Sequence, residues 1–219
     1  LGNTMDDFKW TQEELDAFVG RAEGAGIPLW MHAVSPQAVR MAALSVERVT
    51  GGKNPLRHRV EHGADYLDPK DAARLHAQGV LLVTTPQFLY SASEGGGDYT
   101  PLRTVIDAGF EPIGASDSTG TVPDGIAPLF NIAMAVTRRT RSGGVVAPGE
   151  RIAAEEGLKM FTTWAAVGGH EEQDKGSIQP GRFGDFAVLS NDPLAVDPEE
   201  LFDVTVEATI LGGEVVYRR

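Results

Sequence analysis

The chain has 219 residues, 42% hydrophobic and 23% charged, a balance that suits one larger folded domain and not a disordered polymer. It holds no cysteine, which excludes disulfides, iron–sulfur clusters and thiolate zinc sites, so a metal here would need histidine and carboxylate ligands. A formal charge of −12 works against nucleic acid or an anionic membrane as a main partner.

No apolar run reaches the roughly 20 residues of a membrane span. The chain opens at Leu1 with no signal peptide, so the expectation is a cytoplasmic protein whose sequence begins in the middle of something.

The first element is a helix. Thr11 and Glu14 have capping-box spacing, Leu15, Phe18, Val19 and Ala22 form an apolar stripe, and Gly24 and Gly26 close it. The run from Ile27 to Val34 predicts a strand buried on both faces. Ser35-Pro36 starts a second helix with Val39, Ala42, Ala43, Val46 and Val49 on one side and Gly51 after it. Arg57 to Gly63 is a second, polar strand, followed by a helix from Asp68-Pro69 to Gly79. Val80 to Thr85 is a third strand.

The stretch Ser91 to Tyr99 reads as a flexible, glycine-rich active-site loop; its Gly95-Gly96-Gly97 lacks the strand–turn–helix context of a phosphate loop. A helix from Pro101 to Ala108, a fourth strand from Pro112 to Asp117 and a helix from Ala127 to Arg141 follow. Arg151 to Val167 reads as one more helix. The tail has a strand at Asp185 to Leu189 and a hairpin, with Gly212-Gly213 between two apolar runs.

Strands alternating with helices indicate an α/β parallel sheet, as in a (β/α) barrel or an open doubly wound sheet. The polar residues closing the four strands, His32, His62, Gln87 and Asp117, are spaced 30, 25 and 30 apart, about one βα unit each. Ligands gather at such strand ends, and two imidazoles with a carboxylate suit Zn²⁺, Mn²⁺ or Fe²⁺. His58 reads as a surface or supporting group, His76 as solvent-facing or packing, and His170 as an ordinary helix-end residue.

The segments His32-Ala33-Val34, Arg59-Val60-Glu61-His62-Gly63 and Gly114-Ala115-Ser116-Asp117-Ser118 resemble the fifth, sixth and eighth strands of the metal-dependent amidohydrolase superfamily, its amidohydrolase-3 branch in particular. The tail from Lys175 to Leu189, with Thr209 to Tyr217, is similar to that family's C-terminal signature. The resemblance implies the C-terminal half of a (β/α)₈ TIM-type barrel in residues 1–170 and part of a small β-sandwich in residues 171–219. It implies His32 and His62 as metal ligands, Asp117 as general base, and Gln87 and Ser118, with Pro86 and Thr119, facing a small-molecule substrate.

The implied activity is hydrolysis of C–N amide or related bonds by metal-activated water. The implied cofactor is one divalent ion at most, zinc by preference with manganese or iron as alternatives. The family's first-strand His-x-His has no counterpart before His32, and Lys9 is the only lysine there, outside any strand. Three expectations stay open: a C-terminal portion weak or inactive alone, one half of a split enzyme, or a non-catalytic α/β scaffold. Open sheet edges predict a homo-oligomer, or pairing with a missing N-terminal half.

Overall fold

The computed structural model describes residues 9–92, 100–118 and 122–219, so residues 93–99 of the glycine-rich loop and Thr119 lie outside the described residues. Helix α1 (Gln12–Ala25) carries the expected box: Thr11 Oγ1 accepts from Glu14 N, Glu14 accepts from Thr11 N at 2.8 Å, and Gly26 ends the helix in the left-handed region. It packs on α2 (Pro36–Thr50), to which a buried Ser45 hydroxyl ties it through Asp16 at 2.6 Å and Gln12 at 2.7 Å.

Four parallel strands stand in chain order: β1 (Trp30–His32), β2 (Arg59–Glu61), β3 (Leu81–Thr84) and β4 (Ile113–Gly114). Helices α3 (Ala72–Ala77), α4 (Leu102–Asp107) and α5 (Pro128–Thr137) supply the alternation. The register sets Trp30 beside Arg59 and His32 beside Glu61 on one face, with Met31 and Val60 on the other. Behind the sheet, Val39, Val46, Val60, Leu75 and Leu82 are all at most 2% exposed and belong to one core.

Strand β1 corrects the expectation of a strand buried on both faces. Among the described residues it has one neighbour, β2; Trp30 is 64% exposed and His32 is exposed as well. The apolar run is a sheet edge, and the Arg59 guanidinium lies 3.8 Å over the Trp30 ring, covering it only in part.

Two further expectations change. The helix expected from Arg151 to Val167 is two, α6 (Ala154–Met160) and α7 (Thr163–Gly168), broken where Thr162 leaves helical angles and its hydroxyl donates to Leu158 O at 2.7 Å. The break lets both pieces wrap β4. A methyl on Gly114 would meet the Phe161 ring at 2.6 Å, and one on Gly168 would meet Ile113 at 2.4 Å. Helix α5 ends at Thr137, four residues early, because Arg138 takes the left-handed conformation there.

The tail forms the expected antiparallel sheet, β5 (Phe186–Leu189), β6 (Val206–Leu211) and β7 (Glu214–Arg218), with the hairpin at Gly212-Gly213. Asp197 caps a 3-10 turn, Pro198–Asp203, that docks the tail on α5: Leu201 is buried and Phe202 stacks edge-on to Phe130. Among the described residues no helix is long and apolar enough to cross a membrane.

Two polar anchors carry measurable expectations. Asn131 is fully buried, donates to Gly125 O and Ala127 O, and accepts from Gln87 N. Asn131→Ala strands Gln87 N and Gly125 O and is expected to lower urea-unfolding stability by about 2–3 kcal/mol. Arg57 holds Glu172 through both guanidinium nitrogens, at 2.7 and 2.9 Å, and pulls its carboxyl down to about 2. A depressed carboxyl stabilises the fold above its unfolded pKa, near 4.5, and this contribution is lost as pH falls toward 2. Melting curves of Glu172→Gln should therefore lie below the parent at pH 6 and converge with it near pH 2.

Candidate active site at the strand ends

Each strand end is built by backbone that cannot continue the ladder. After β2, His62 adopts φ 61° and starts a tight turn, with Asp65 N and Tyr66 N donating to His62 O. After β4, Ala115 N still pairs with Thr84 O, and Asp117 then turns out at φ 41°. The turn at His62 is pinned to the next strand by Ala64 N donating to Val83 O.

These turns bring three of the sequence-predicted residues together. The His32 and His62 rings meet edge to face with centroids 4.9 Å apart, and His62 Nε2 lies 3.5 Å from Asp117 Oδ2. His62 is 7% exposed, whereas His32 and Asp117 face solvent. Ser118 is exposed beside Asp117.

Gln87 sits elsewhere than at the open face. It is fully buried in a 3-10 turn, Pro86–Ser91, its amide nitrogen donates to Ser116 O, and its Oε1 is buried without a partner among the described residues. It braces the 116–118 segment from beneath.

Sequence reasoning missed Asp65. Its carboxylate, 1% exposed, accepts from Thr84 Oγ1 at 2.6 Å, Thr85 Oγ1 at 2.7 Å and Thr85 N at 3.0 Å, and lies 3.3 Å from His62 Nδ1. The available signal was the i, i+3 spacing to His62, which means nothing until the left-handed turn folds it back. The hydrogen bond to Asp65, with the charges of Asp65, Asp117 and Glu61, holds the His62 imidazole more basic than an ordinary histidine despite its burial.

The remaining histidines separate cleanly. His58, expected at the surface or in support, is wholly buried: Nδ1 accepts from Leu29 N at 2.9 Å and Nε2 faces Glu23 at 3.2 Å. Burial pulls its pKa down against the pull of Glu23. His76 is exposed and packs on Phe110, and His170 follows the end of α7 with φ 60°. Among the described residues no group of three or more histidine and carboxylate side chains is arranged to hold a metal ion.

A parallel α/β sheet with imidazoles and a carboxylate on its strand ends, followed by a small antiparallel sheet, is the arrangement of a TIM-barrel-related α/β protein. Comparison with known proteins makes this specific. The Amidohydrolase family model (Amidohydro_3) matches residues 4–217, and the chain belongs to that family.

It is 27% identical to YtcJ of Bacillus subtilis over 94% of its own length, and 27% identical to the N-substituted formamide deformylase of Arthrobacter pascens over 96%. It spans about 40% of the length of either relative. An uncharacterized metal-dependent hydrolase of Pyrococcus furiosus superposes with TM-score 0.71 at 25% identity, covering 87% of this chain and 39% of that one.

Because the buried His58 ring answers one backbone N–H and one carboxylate, His58→Ala is expected to lower stability by about 2–3 kcal/mol in urea titration. The His32–His62 geometry should survive it, visible as unchanged ring chemical shifts for those two residues.

Proposed function

We propose that this chain carries the imidazole and carboxylate arm of a metal-dependent hydrolase acting on C–N amide or related bonds. The observation that supports it is the convergence of His32, His62 and Asp117 from three strand ends. In this reading residues 1–170 are the barrel part and 171–219 the appendage.

The residues fit one divalent ion, zinc by preference, held by His32 and His62. Both contacts on His62 Nδ1 are accepted within the protein, which leaves Nε2 for an outer ligand. When bound, such an ion would supply Lewis-acid activation of water and of the scissile carbonyl.

The chain's own contribution is positioning and proton transfer. Asp117 Oδ2 takes a proton from the attacking water and returns it to the leaving nitrogen; its exposure lets it reach both. Ser118 contacts the substrate, and Gln87 acts on it through the segment it braces. The exposed edge at Trp30, with Ile27 and Val34 beside it, pairs with a second copy or with further strands of a longer protein. Whole activity depends on that complement, since a catalytic zinc site normally draws three protein ligands.

Calorimetric titration with Zn²⁺ and a turnover screen test the reading. The screen covers N-acyl amino acids, cyclic amides and N-substituted formamides with added Zn²⁺ or Mn²⁺. His32→Ala should weaken Zn²⁺ binding at least about tenfold, and Asp117→Asn should reduce turnover by about 10²-fold or more. Uptake unchanged by His32→Ala, or turnover indifferent to Asp117→Asn, would overturn the assignment.

A further inference from the structure

We infer that Asp65 is the positioning residue of His62: it fixes which ring nitrogen carries the proton in the neutral ring and so leaves Nε2, on the Asp117 side, as the nitrogen free to take a cation. The inference rests on the reading of His62 as a ligand, yet its central measurement needs no metal.

The tautomer follows from the partners of Nδ1. Two groups approach it, Thr85 Oγ1 at 3.0 Å and Asp65 Oδ2 at 3.3 Å. A carboxylate oxygen can only accept. The Thr85 hydroxyl has one hydrogen and gives it to Asp65 Oδ2 at 2.7 Å, so it too turns a lone pair toward Nδ1. Both neighbours therefore require a proton on Nδ1. In the neutral ring Nε2 is then bare, the opposite of the form that a free histidine side chain favours.

The carboxylate is itself immobilised. Thr84 Oγ1 and Thr85 N hold it from the end of β3, and Asp65 O accepts from Thr100 N at 3.0 Å. Thr100 O in turn accepts from Arg138 Nη1 at 3.0 Å, and the buried Arg138 charge interacts with that of Asp65. A ring gripped by so fixed an acceptor cannot rotate about χ2 without losing both contacts. Because β3 supplies the grip, the aim of His62 is set by a neighbouring strand.

Long-range ¹H–¹⁵N NMR of the metal-free protein, at a pH that leaves the ring neutral, reads the tautomer directly. Wild type should show the proton on Nδ1 of His62. Asp65→Ala should move the population to Nε2. Asp65→Asn should restore the Nδ1 proton, because the Thr85 N–H, nearer to Oδ2, and the Thr85 hydroxyl both donate on that side and favour the amide oxygen there.

In parallel titrations Asp65→Ala should weaken Zn²⁺ binding by about 10- to 100-fold. An Nε2–H ring in the wild type overturns the inference even if Asp65→Ala fails to fold, as does an Nδ1–H ring that persists in a folded Asp65→Ala. An Asp65-dependent Nδ1–H ring in a protein that takes up no Zn²⁺ upholds the inference and overturns the metal reading instead.

Discussion

Parallel strands of two to four residues cannot secure their own ends, and the architecture follows from how those ends are held. Each ladder offers only a few backbone hydrogen bonds before the chain must turn, so buried polar side chains finish the work. Asn54 bridges from the loop before β2 to His58 and Gly79, Asp65 joins the end of β2 to that of β3, and Asn131 ties α5 to the turn after β3. Each side chain saturates backbone groups that would otherwise be buried and unpaired. The hydrophobic core supplies most of the stabilisation, and these three residues hold the ends of the short strands.

That division explains why the candidate site lies where it does. The apolar layer of Val60, Leu82 and the α2 stripe fixes the sheet against its helices from one side. The polar anchors fix the ends, and the reactive side chains stand at or just past them: His32 closes β1, His62 follows β2 by one residue and Asp117 follows β4 by three. His62 Nε2 and Asp117 Oδ2 approach each other across strands that are not adjacent, β2 and β4, because β3 between them ends in threonines and then dives inward at Pro86.

The alternation of elements was legible because it rests on periodicity and caps. Thr11 with Glu14, Ser35-Pro36 and Gly212-Gly213 each act locally, and each lies in the structure where the sequence puts it. The convergence of His32, His62 and Asp117 was legible as a spacing in phase with the repeat. What sequence could not carry was tertiary in origin. The apolar run at Ile27 reads as interior, yet burial depends on what lies alongside, and β1 has one neighbour among the described residues. His58 looked peripheral because nothing in its surroundings announces that Leu29 N and Glu23 will enclose it. Asp65 stayed hidden behind a backbone reversal that no side chain at His62 advertises.

That reversal has a consequence for how such a sequence can change. His62, Thr100, Asp117 and Arg138 all hold positive φ, where a side chain costs about 1–2 kcal/mol relative to glycine. At Thr100 and Arg138 the side chain or backbone is woven into the support, and at His62 and Asp117 the proposed chemistry needs the side chain itself. Glycine would relax the backbone at each: at Thr100 it would keep the backbone contacts, at Arg138 it would forfeit buried guanidinium hydrogen bonds, and at His62 and Asp117 it would erase the proposed chemistry. Drift toward greater thermal stability therefore runs against retention of the site, and a lineage released from selection for its chemistry would be expected to lose His62 and Asp117 early, while Thr100 and Arg138 stay for the fold.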